Sequence, residues 1–322
     1  MLSPQGCRFA AAALSILALC ACGTTEQPID PFAAEKVVTK LASQDAAEAA
    51  PDAAAKAARA ESQLAAAQAA WQAGDALGAL AIASSAIVKG VPSSLDGAFR
   101  DLRAKARAAV IASKICRVRV VPEKDAVADG TAVGIGIEFA NLSGATLSVP
   151  HGVEGSSDAV VVLTLERQDF DVFGNERTTS YTLNAPVQED LVLPPGGVQV
   201  TRLEVPSAMT ALGHDGFSVL TLSGTFRPVK LRVGDSEFFD AIPIESAALR
   251  IFQRGFEPLA ADPLGSLKRA IEKRSPPHLL TCVELLAPSD RAAARVLLTA
   301  AKEKDPPLAR VADAALARLG AR

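Results

Sequence analysis

The apolar positions of this chain change period twice along its length, and that double change restricts the fold more than any single motif. Over residues 32–113 the pattern is helical: Ala dominates, β-branched residues are few, and breaks fall at Pro51, Gly74-Asp75 and Gly90-Val91-Pro92. Val37, Val38 and Leu41 line one face of the first predicted helix. Leu64, Ala67 and Trp71 line the second, with Trp71 read as core. Leu77, Leu80 and Ile87 mark the third, and Leu95, Phe99, Leu102 and Val110 the fourth. From Ile115 onward the period drops to two, as in Cys116, Val118, Val120 and in Val133, Ile135, Ile137, Phe139. Further alternating runs cover 161–165, 179–183, 198–205, 217–226, 229–233 and 241–252, separated by turn clusters such as Asn141-Leu142-Ser143-Gly144 and Pro194-Pro195-Gly196-Gly197. After about residue 260 the helical period returns, over 263–274, 277–286, 289–304 and 306–319, with Ser289 and Asp305 expected as N-caps. The expected fold is therefore multidomain α plus β: Ala-rich helical hairpins, a central antiparallel β-sandwich, and a C-terminal helical segment.

The amino terminus reads as an address. Arg8 precedes an apolar run from Phe9 to Leu19 that is too short to span a bilayer and ends in small residues, which describes an export signal. Leu19-Cys20-Ala21-Cys22-Gly23 resembles the lipobox of bacterial lipoproteins, with Cys20 at the penultimate position the one departure. The resemblance implies a signal peptide over 1–21, diacylation at Cys22, and membrane attachment through that residue. Several acyl chains hold far more firmly than one, because each buried methylene adds about 0.8 kcal/mol. Gly23, where the family's inner-membrane retention signal is Asp, favours the outer membrane of a two-membrane envelope. Residues 22–31 form a tether that reaches roughly 30 Å when extended.

Three further resemblances are local. Gln72-Ala73-Gly74-Asp75-Ala76-Leu77-Gly78-Ala79-Leu80, with Ala83, Ala86 and Pro92, resembles the turn and second helix of a tetratricopeptide repeat, although the first helix lacks that family's early Trp and Gly. Phe139-Ala140-Asn141, a strand ending at Pro150, and Pro195-Gly196 before another strand resemble immunoglobulin-like envelope modules. The segment from Asp305-Pro306 through Val311-Ala312 and Ala315-Leu316 to Leu319 resembles a HEAT-type repeat. The resulting division is 32–114 tetratricopeptide-like, 115–260 β-sandwich, and 261–322 HEAT-like.

Charge is unevenly spread along the chain. Residues 115–261 carry nineteen acidic and eleven basic side chains, whereas 262–322 carry seven and eleven, although the whole chain is only −3. The basic C-terminal block has no aromatic interleaving for bases, so nucleic-acid binding is not expected. Only three histidines occur, at 151, 214 and 278, each without a neighbouring partner set in the sequence, and no metal-ligand or nucleophile motif is present. No catalytic residue, metal site or cofactor is expected. Asp169-Phe170-Asp171-Val172-Phe173-Gly174 shares the first, third and sixth positions of a calcium loop, but Phe173 and Ser180 stand where the fifth and twelfth ligands belong. A solvated acidic hairpin tip is the plainer reading. Cys116 and Cys282 could form a disulfide in an oxidising compartment; both lie on apolar faces, which favours two separate buried thiols.

The function expected from these features is a lipid-anchored, non-enzymatic envelope scaffold for protein partners. The alternative is a binding module for an envelope polymer or small solute on the acidic sandwich, followed by a hydrolase with an unrecognised site. A pocket of convergent polar groups favours the second, and paired ionisable groups in a pocket favour the third. Nothing in the pattern fixes an oligomeric state.

Overall fold

The computed structural model describes residues 53–152, 159–173 and 175–320. The signal, Cys22, the tether and the first predicted helix lie outside them. Among the described residues no helix is long and apolar enough to cross a membrane.

Three helices open the described chain: α1 (Ala53–Gln72), α2 (Ala76–Lys89) and α3 (Ser93–Lys114). The breaks fall where Gly74 and Gly90 adopt φ of +80°, a conformation costly for any residue with a side chain. Asp75 restarts the chain as an N-cap, its carboxylate accepting from the Gly78 amide at 2.8 Å. Ala60, Ala83, Ala86 and Phe99 pack together between the helices. Trp71 is not core: its indole is 37% exposed, because the helix ends one residue later and turns that face outward.

The strands are β1 (Cys116–Pro122), β2 (Ala126–Ala128), β3 (Val133–Asn141), β4 (Leu147–Val149), β5 (Val160–Asp171), β6 (Glu176–Pro186), β7 (Leu191–Leu193) and β8 (Val198–Val205). After the short helix α4 (Ser207–Thr210) come β9 (Gly216–Arg227), β10 (Leu231–Val233), β11 (Ser236–Phe238) and β12 (Ile242–Phe252). They form an eight-stranded sheet, ordered β6-β5-β9-β12-β1-β3-β8 with β2 beside β12, and a four-stranded sheet, ordered β11-β10-β4-β7. The expected all-antiparallel pairing fails at β12, which runs parallel to β1 and to β2. Those strands are joined through most of the sheet, so no hairpin dictates their direction.

Alternation assigns the large sheet's faces. Val118, Ile137, Phe139, Leu163, Leu222 and Phe226 point inward and share one buried cluster with Leu147, Leu191, Leu193 and Leu231 of the small sheet. The rings of Phe139 and Phe226 meet edge-on, with centroids 5.0 Å apart. Val110, Ile111 and Ile115 join this cluster, so the first helices are continuous with the sandwich core. Asn141 is buried at the rim, where its amide donates to the carbonyls of Ala145 (2.8 Å) and Leu193 (2.9 Å) and ties the sheets together. In β12 a bulge between Ile244 and Ala247 shifts the register against β9. One inserted residue lets even-numbered Ile242 and Ile244 and odd-numbered Leu249 and Ile251 all face the same core.

The chain closes with α5 (Glu257–Ala261), α6 (Pro263–Glu272), α7 (Pro276–Leu285), a 3₁₀ turn at Pro288–Asp290, α8 (Arg291–Lys304) and α9 (Pro306–Gly320). Ser289 does not cap α8. It lies within the 3₁₀ turn, and the helix begins at Arg291. These helices pack on the outer face of the large sheet. Phe170, Phe217 and Phe252 occupy matched positions on β5, β9 and β12 and join Leu267, Leu279, Leu280, Leu298 and Ala315 in a second buried cluster.

Candidate functional site: a polar cleft at one end of the large sheet

Three loops converge where β2 and β12 end and β9 begins. Asp129 follows β2, 212–215 precedes β9, and Gln253 and Arg254 follow β12. The backbone links them: the Asp129 amide donates to the Phe252 carbonyl at 2.7 Å, and the Leu212 amide donates to the Asp129 carboxylate at 2.7 Å. The Thr210 hydroxyl adds a 2.7 Å bond to the Thr131 carbonyl. Between the loops lies a shallow cleft of about 580 Å³, walled by Asp129, Asp215, Gln253 and Arg254 and floored by Leu212, Gly213 and His214. Its wall groups are partly spoken for. Gln253 Nε2 donates to Asp215 Oδ1 at 3.3 Å, and Arg254 Nε points at the Asp129 carbonyl at 3.4 Å.

Behind the floor lies a buried ionic cluster on the inner face. Arg167 and Asp169 are two residues apart on β5 and so share that face; Nε and Oδ1 are 2.9 Å apart, and both side chains are about nine-tenths buried. Ser218, opposite Asp169 in the ladder and fully buried, donates its hydroxyl to Asp169 Oδ1 at 2.5 Å. Arg167 also donates to the carbonyls of Ala211 (2.9 Å) and Met209 (3.3 Å), which fixes the segment leading to β9. Burial alone would raise the Asp169 carboxyl's pKa. The Ser218 hydroxyl and the Arg167 guanidinium outweigh it and hold the carboxyl below its ordinary value. Asp169 therefore belongs to the buried framework, not to a solvated hairpin tip.

Ser218, Asp169 and His214 bring hydrolase residue types together, yet in the wrong order. Asp169 sits between the other two, with His214 Nε2 3.5 Å from Oδ1 and Ser218 giving its proton to the carboxylate. A serine nucleophile needs a base at its own oxygen and access to substrate. Ser218 has neither here. Both ring nitrogens of His214 are buried without a hydrogen-bond partner, so the imidazole presents carbon to the cleft.

The other expected positions lie apart. His151 Nδ1 meets Asp190 Oδ1 at 2.7 Å, and His278 Nδ1 meets Ser275 Oγ at 2.8 Å, both on the surface. The calcium-loop resemblance dissolves in contacts: Asp171 accepts from the amides of Phe173 and Asn175, each at 2.8 Å, and from Asn175 Nδ2 at 2.6 Å. Gly174 lies outside the described residues, and among those described no cluster of acidic, His or Cys side chains could hold a metal. The Cys116–Cys282 disulfide is absent. Both thiols are free and buried, the first in the sandwich core and the second among the terminal helices. Burial pushes each up to about 12, so both stay protonated.

The junction between sheet and terminal helices is a row of aromatic rings. Phe170 stacks on Phe217 (4.9 Å), Phe217 leans on Phe252 (5.9 Å), and Phe252 on Phe256 (4.9 Å). Arg318 of α9 places its guanidinium 4.1 Å from the Phe170 centroid and pairs at 3.3 Å with Glu284, whose side chain is 1% exposed. Desolvation pulls the Arg318 pKa down. Sequence reasoning missed both the ring row and the cleft. The rings had a faint signal, since Phe170, Phe217 and Phe252 all interrupt the apolar phase of their strands. The cleft had none, because its residues come from three distant loops.

No protein-family model and no curated protein matches this chain. Among solved structures it is similar to Spo0M, a sporulation control protein from Bacillus subtilis, at 14% identity over 50% of this chain and 56% of that one, with a TM-score of 0.26. It is also similar to the alkylpurine DNA glycosylase AlkC of Pseudomonas fluorescens, at 12% identity over 55% of this chain and 47% of that one, with a TM-score of 0.23. The chain thus spans about half the length of each, and superpositions this loose carry no argument about activity.

Proposed function

We propose that this chain is a lipid-anchored, non-enzymatic protein of the cell envelope that presents surfaces to protein partners. The anchor is Cys22, expected in the outer membrane on the lipobox resemblance. Its modules are a tetratricopeptide-like helical segment, an immunoglobulin-like sandwich and a HEAT-like terminal segment. One observation carries the scaffold reading. Strand β8 is an open edge of the large sheet, with Val198 and Val200 55% and 53% exposed and Val121 of β1 nearby on the same face at 40%. Arg202 and Glu204 place charge on the exposed face toward the far end of β8, so the part open to an extended segment of another chain is the Val198–Val200 end. Photo-crosslinking from position 200 in intact cells should capture an envelope protein, and mass spectrometry of the mature terminal peptide should find acylated Cys22. An unmodified terminus on a freely soluble protein would remove the anchor, and a bare β8 in cells would remove the scaffold role.

A second reading, binding of an envelope polymer or small solute at the sandwich, is favoured by the convergent polar groups of the cleft.

A further inference from the structure

We propose that the cleft between Asp129, Asp215, Gln253 and Arg254 binds a neutral polyhydroxylated ligand, a saccharide chain laid across the end of the large sheet. The inference rests on the second reading and adds a ligand class to it.

The charge pattern selects that class. The walls carry two carboxylates, one guanidinium and one amide, so an anion would meet Asp129 and Asp215 and a cation would meet Arg254. Each group is also partly satisfied internally: Asp129 by the Leu212 amide, Asp215 by Gln253, and Arg254 by the Asp129 carbonyl. A half-satisfied carboxylate keeps acceptor lone pairs and a half-satisfied guanidinium keeps donors, at positions fixed by strand ends. Vicinal hydroxyls, each both donor and acceptor, suit such a mixed set better than an ion does. The floor supplies the complementary apolar part. Leu212 is half-buried, and His214 offers ring carbons because its nitrogens are buried, so a sugar ring can pack its C–H face there. The cleft is open to solvent, so a polymer can lie across it without being engulfed. Arg167 and Asp169 hold the floor from behind through Ala211, so the site is preorganised.

The test uses the full mature chain with cellohexaose, maltohexaose and chitohexaose as probes, in saturation-transfer NMR and calorimetry. At least one should bind with a Kd of roughly millimolar or tighter. Arg254→Ala and Asp215→Asn should each weaken it roughly tenfold. Arg100→Ala, on the exposed face of α3 and outside the cleft, should not. Arg254 is exposed, so its variant should fold normally even if Asp215→Asn does not. Unaltered binding in Arg254→Ala would overturn the assignment. Alanyl-alanine and spermidine are run beside the sugars. If either binds in place of the sugars and Arg254→Ala abolishes that binding, the saccharide proposal fails while the sandwich remains a binding module. If none of the probes binds, both fall.

Discussion

The outer face of the large sheet is two surfaces on one scaffold. At one end of β5, β9 and β12 it carries Phe170, Phe217 and Phe252 and is covered there by the terminal helices, while Glu166 and Ala248 farther along are exposed. Over β1, β3 and β8 it carries Arg117, Arg119, Glu138, Val121 and Val200 and is bare of any described helix, with Arg119 and Glu138 paired at 2.7 Å. Both halves belong to one hydrogen-bonded sheet, and their outward side chains differ. Aromatic rings spaced one per strand make a continuous apolar strip that must be buried. On the bare half Gly136 leaves room for Val200, whose Cγ1 would lie only 2.9 Å from a Cβ at 136.

The sharpest way to break this comparison is to remove a ring. Phe217 is fully buried between two others, and Phe217→Ala should cost about 3–5 kcal/mol, read as a fall in melting temperature and exposure of α7 and α9 to proteolysis. An unchanged melt would mean the helices are held by something other than the strip. Next comes Glu284→Gln, which removes the buried carboxylate paired with the largely desolvated Arg318 guanidinium and leaves it only the charge of Glu176. About 2 kcal/mol should be lost in chemical denaturation, and Arg318→Met with Glu284→Gln should recover part of it.

Acid tests the other side of the same strands. The Asp169 carboxyl titrates below its ordinary 3.8, so its stabilising share is complete above that range and disappears as pH falls through it. Amide protection in 211–218, taken relative to the intrinsic exchange rate at each pH, should hold down to 3.8 and fall below it, ahead of the rest of the sheet, and Asp169→Asn should lose this dependence. The smallest effect belongs to the bare half. Val200→Lys should change stability by no more than about 0.5 kcal/mol, because the side chain already faces water. A large loss there would show that the bare half is covered after all.

Much of the fold was legible because it is local. The long strands and the helices announce themselves by period, and Gly74-Asp75 and Gly90 mark turns that only glycine takes without strain. Of the five three-residue strands, β2, β7 and β11 were not legible, since three residues hold barely one alternation. Within the expected hairpin tip, Asp169 was misread because its partners, Arg167 on its own strand and Ser218 forty-nine residues away, become visible only once β5 and β9 are in register. The direction of β12 and the cleft are likewise properties of pairing between distant segments.

The bulge in β12 has a genetic consequence. Because it reverses parity midway along the strand, deleting one codon between Ile244 and Ala247 would turn Leu249 and Ile251 out of the sandwich core and Phe252 out of the helix-covered cluster into it, disturbing two cores at once. Most point substitutions nearby change one side chain's surroundings; this deletion changes those of every residue after it in the strand. Drift by substitution should therefore be tolerated around residues 245 and 246, whereas a change in length should not.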